Sequence, residues 1–171
     1  MGIKASFPEL IKGKAGSPYA VSDYFDINPY LALNPENRIS EFKSCVSLLK
    51  ENGIKVLIDF VPNHVSRDYK SQNAPFSFID FGKNDDKNEA WSINNDFYYL
   101  PGQALTLPVE NQDNYKEFPA KATGNNCFKP NPNAHDWYET VKLNYGWNPF
   151  MPNSAVAVSY THLTLPTNRE V

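Results

Sequence analysis

The run Asp59-Phe60-Val61-Pro62-Asn63-His64 places a carboxylate, an amide and an imidazole within six positions. Together these groups supply several hydrogen-bond donors and acceptors. Spacing alone assigns them no reaction, so their weight depends on where they fall in the fold. Residues 54–60 (Ile-Lys-Val-Leu-Ile-Asp-Phe) are almost continuously apolar, the pattern of a parallel strand covered on both faces. Pro62 has no N–H to give a ladder and ends such a strand, so Asn63 and His64 leave it at its C-terminal end.

The elements that must position this run read clearly. Asn34 suits a helix cap and Pro35 the first turn; Phe42, Cys45, Val46 and Leu49 recur at i, i+3, i+4 and i+7, and Gly53 supplies a left-handed stop. Helix, glycine and buried strand make half of a βαβ crossover. In a barrel of such units the C-terminal strand ends form the active-site face. The preceding strand is expected near residues 1–7, followed by a Gly/Pro/Ser loop over 14–18. From Val65 to about Tyr145 the helical period gives way to Asn, Pro, Gly and aromatics, with strand-like pieces at 96–100 and 104–107. So long a stretch predicts a small irregular subdomain inserted after the strand.

With 171 residues, 41% of them hydrophobic, the chain can bury a core of useful size. A net charge of −3 with scattered basic residues offers no footprint for nucleic acid or an anionic membrane, and suits a neutral, hydroxyl-rich substrate. No run of about 18 apolar residues is present to span a bilayer. Cys45 and Cys127 have neither metal-ligand spacing nor disulfide-scaffold density and read as free thiols. No localisation follows from these features.

Residues 59–64 resemble the first signature of the α-amylase family, glycoside hydrolase family 13, which ends in Asn-His. Residues 16–24 (Gly-Ser-Pro-Tyr-Ala-Val-Ser-Asp-Tyr) resemble that family's loop after the second barrel strand, at the family's spacing. Residues 136–146 (Asp-Trp-Tyr-Glu-Thr-Val-Lys-Leu-Asn-Tyr-Gly) are similar to the stretch leading out of domain B in some bacterial members. The resemblance implies an α/β fold: an incomplete (β/α)8 TIM barrel fragment with an irregular, β-containing domain B insertion after strand 3. Its parts would be residues 1–64 (strand 2, helix 2, strand 3), 65–145 (the insertion) and 146–157 (the return towards the barrel). Residues 158–171 resemble a translated sequencing-adapter read-through and are set aside as a non-native tail.

The same resemblance assigns roles. Tyr19 matches a tyrosine that stacks on the sugar beside the cleavage point, and His64 an imidazole that hydrogen-bonds a hydroxyl of that sugar. Asp59 matches a carboxylate that supports the site by pairing with an arginine, while Asp23 and Tyr24 fix the loop that carries Tyr19. Asn63 matches an amide that ligates Ca²⁺ in calcium-containing members; satisfying loop backbone groups is an equal alternative, since no partner ligands stand out among Asp80, Asp85, Asp86, Asp96 and Asp113. No organic cofactor is implied. Ala20 stands where several exo-acting relatives carry an acid, which favours an endo-acting or polymer-binding enzyme. The insert aromatics Trp91, Tyr98, Tyr99, Trp137 and Tyr138 either line outer sugar subsites or, for the most part, build the insert's own core.

Retaining chemistry requires two carboxyl groups roughly 5 Å apart. In this family they follow strands four and five, with a stabilising aspartate after strand seven, so no residue here is nominated as catalytic. The expected parent is a retaining glycoside hydrolase or transglycosidase acting on an α-glucan or maltooligosaccharide, and this fragment is expected to be inactive alone. The alternative is a non-enzymatic relative, such as the heavy subunit of an amino-acid transporter. A weaker third reading is an unrelated barrel carrying a separate carbohydrate-binding module.

Overall fold

The computed structural model describes residues 19–108 and 115–151. The strand expected at 1–7, the loop expected at 14–18, Asp113 and the tail at 158–171 lie outside the described residues.

The helix forms where its pattern predicts it. The Asn34 side chain accepts from the Glu36 N–H and caps a 3-10 turn, Pro35–Asn37, that runs into α1 (Arg38–Glu51). Glu41 turns its two carboxylate oxygens back to the Leu33 and Asn34 N–H groups, at 2.8 and 2.9 Å, and so fixes the chain's entry into the helix. Gly53 closes it at φ +74°, a conformation that costs a side-chain-bearing residue roughly 1–2 kcal/mol. Asp26 grips Arg38 through both oxygens at 2.6 Å and ties the loop after Tyr24 to the helix start.

The apolar side of α1 finds little cover: Phe42, Val46 and Leu49 are half-buried and Cys45 is exposed. Residues 54–60 correct the expectation of a buried strand more sharply. They form no strand and remain exposed, with Leu57 at 95%. An extended chain becomes a buried parallel strand only when neighbours pair with its edges and helices cover its faces, and none does so among the described residues. Among these residues no helix is long and apolar enough to cross a membrane.

The core sits instead in the expected insert. There β1 (His64–Ser66) pairs antiparallel with β4 (Thr140–Lys142), setting Val65 opposite Val141. A second antiparallel pair joins β2 (Tyr99–Leu100) to β3 (Ala120–Lys121). Bridges from Phe97 to Leu143 and from Thr123 to Val141 stitch the two pairs together. The sheet buries Val65, Phe97, Tyr99, Val141 and Leu143, flanked by Tyr24, Tyr69, Phe81 and Tyr145. Each such side chain contributes about 1.5–3 kcal/mol by leaving water. A smaller cluster gathers Leu107 and Tyr138 with Leu105 and Tyr115. Residues 104–107 form no strand, because the Leu105 and Thr106 N–H groups go to the Glu117 and Pro130 carbonyls rather than to a ladder.

A buried ionic network locks this unit. Arg67, whose side chain is fully buried, donates to Glu117 at 2.7 Å, to the Lys121 carbonyl at 3.2 Å and to the Tyr138 carbonyl. Glu117 also accepts from the Tyr115 hydroxyl at 2.8 Å and the Lys121 N–H at 2.7 Å. Burial pushes the Glu117 pKa up, but Arg67 and Lys121 outweigh that and hold it below the usual carboxylate range.

Candidate functional site

Residues 20–22 run beside β1 and its continuation. The Val21 carbonyl accepts from Ser66 N–H at 2.8 Å and the Ser22 carbonyl from Lys70 N–H at 3.0 Å. This docking, with Ala20 and Val21 buried, carries Tyr19 to the start of β1. There the His64 imidazole hydrogen-bonds the Tyr19 backbone. The Tyr19 side chain itself is 56% exposed. Two residues 45 positions apart in sequence (64 − 19) thus meet.

His64 does not project into an open mouth, as a residue leaving a barrel strand would. It opens β1 opposite Lys142, is only 4% exposed, and lies against Trp137, with ring centroids 5.3 Å apart at 58°. Its Nδ1 is buried and has no hydrogen-bond partner among the described residues. Desolvation lowers the imidazole's pKa, the bond to the Tyr19 backbone opposes this, and the Lys142 ammonium lowers it further. The ring is therefore neutral near pH 7, able to accept and to donate. Gly124 packs beneath it: a Cβ there would stand 2.4 Å from Thr140 Oγ1 and 3.0 Å from His64 Cβ.

The supporting residues divide. Asp23 is buried and accepts from the Phe25 and Gln72 N–H groups at 2.7 and 2.6 Å, fixing the loop that carries Tyr19. The Tyr24 hydroxyl donates to the Val61 carbonyl, while its ring packs on Phe60 and Tyr69 at 5.7 Å each. Burial, with Tyr69 and Tyr145 nearby, pushes that phenol's pKa well up. Asp59 is exposed and makes no hydrogen bond or ion pair among the described residues.

The Asn63 backbone carbonyl accepts from Leu143 N–H at 3.1 Å, whereas its side-chain amide makes no hydrogen bond among the described residues. Among them no three His, Cys, Asp or Glu converge. Asp80, Asp85, Asp86 and Asp96 accept instead from the N–H groups of Ser71, Phe97, Asn88 and Gly82.

Sequence reasoning named Trp137 only among the insert's aromatics and did not find Gly124 or Arg67. A glycine between Thr123 and Asn125 carries no signal of close approach until the imidazole above it is located. Against known proteins, the chain matches no family model and no solved structure.

Proposed function

We propose that this chain forms part of the sugar-binding wall of a retaining, α-glucan-active glycoside hydrolase or transglycosidase built on a (β/α)8 barrel, without a nucleophile or acid/base of its own. The observation that supports the reading is the meeting of Tyr19 and His64: the backbone of a residue with an exposed aromatic ring beside a neutral imidazole whose Nδ1 has no partner among the described residues. Aromatic faces cover the C–H face of a pyranose, and an imidazole can accept from or donate to its hydroxyls. The small net charge of −3, with basic residues dispersed, fits an uncharged ligand. Asp23 and Tyr24 hold the loop rather than touch the sugar.

The test is titration of the chain with maltopentaose, with cellopentaose as the β-linked control. Binding of maltopentaose without turnover is expected, weakened about tenfold by Tyr19→Ala or His64→Ala, the loss of one stacking or hydrogen-bond partner. Equal affinity for cellopentaose, indifference to both substitutions, or hydrolysis by the chain alone would overturn the reading.

A further inference from the structure

The insert's five prominent aromatics do not share one fate. Tyr98, Tyr99 and Tyr138 are buried, and Trp91 is half-buried. Trp137 alone among them is exposed, at 43%, and it is the one whose ring lies against His64. Its backbone is held independently of its ring: the N–H donates to Asn125 Oδ1 at 3.2 Å, and the carbonyl accepts from the Thr140 N–H and hydroxyl at 3.0 and 2.9 Å. An indole kept at a fixed place, half in water, beside an imidazole whose buried Nδ1 has no partner among the described residues is costly unless something covers the ring and satisfies the nitrogen.

We infer that Trp137 is a ligand-contacting residue of this site: its exposed indole, lying against His64, supplies an aromatic face on which a glucosyl ring is held, in addition to the exposed Tyr19 ring. This rests on the sugar-binding reading above and adds a residue outside both barrel-like motifs, contributed by the insert. A ligand held against the indole changes the surroundings of Trp137 when it binds. The site is thereby completed by the insert rather than by the strand end alone.

The experiment is a maltopentaose titration of the full chain followed by intrinsic fluorescence, with Trp137→Phe and Trp137→Ala compared against the unaltered chain and Tyr19→Ala. Ligand is expected to change the emission of the unaltered chain. Trp137→Phe should remove most of that change while keeping affinity within about threefold, and Trp137→Ala should weaken binding about five- to tenfold. Unfolding curves that match the unaltered chain show that both variants fold, as the ring-independent backbone bonds lead one to expect. If the unaltered chain binds and Tyr19→Ala weakens it, but both Trp137 variants bind as the unaltered chain does, the role of Trp137 is refuted and the sugar-binding reading stands. If the unaltered chain does not bind maltopentaose, both fall together.

Discussion

Residues 38–60 and residues 64–143 solve the problem of covering apolar surface in opposite ways. The first region has a helix led in by an Asn34-capped turn and an apolar segment at 54–60, yet α1 buries no residue and residues 54–60 all stay exposed. The second has strands of two or three residues, poor candidates by length, yet it buries Val65, Phe97, Tyr99, Val141 and Leu143 and threads an ion pair through its middle. Amphipathic pattern says which face seeks cover but does not provide it; cover comes from contacts that close within the same unit.

That contrast can be broken first at Arg67. Arg67→Ala strands Glu117 without its main partner and is expected to destabilise the 64–143 unit by about 3–5 kcal/mol, read as a lowered urea midpoint. A change below about 1 kcal/mol would show that the network is incidental to the fold. Gly124→Ala should be the next largest, about 1–3 kcal/mol, because the new methyl meets Thr140 Oγ1 and the base of His64. Maltopentaose affinity should fall with it, since His64 must move; an unchanged melting temperature and affinity together would argue that this packing is loose. Leu57→Lys sharpens the comparison from the other side. At 95% exposure the leucine contributes little, so stability should stay within about 0.5 kcal/mol while aggregation, followed by light scattering, declines. A large loss of stability there would mean that residues 54–60 are covered in solution.

The candidate site was partly legible in the sequence. Motif resemblance points to Tyr19, Asp23, Tyr24 and His64, and residue chemistry alone points to the Asn34 cap, the Pro35 turn and the Gly53 stop that bound the helical stretch. Trp137 was not distinguishable from Tyr138 beside it: both are aromatic, and only the direction each side chain takes next to β4 sends one into the Leu107 cluster and the other over the imidazole. Arg67 carries no local signal of burial, because an arginine usually faces water.

What the sequence by itself determined is local: where the helix begins and ends, and which residues carry the polar groups of a candidate site. Those follow from φ preferences, missing N–H groups and short-range capping, which act over a few residues. The tertiary structure alone decided that His64 is buried rather than presented to solvent, that it meets Tyr19 and Trp137, and that Arg67 is locked to Glu117. Each depends on chain segments about 45 to 75 residues apart arriving at one place, an outcome set by the summed burial and hydrogen bonding of the whole unit, which local preferences do not encode.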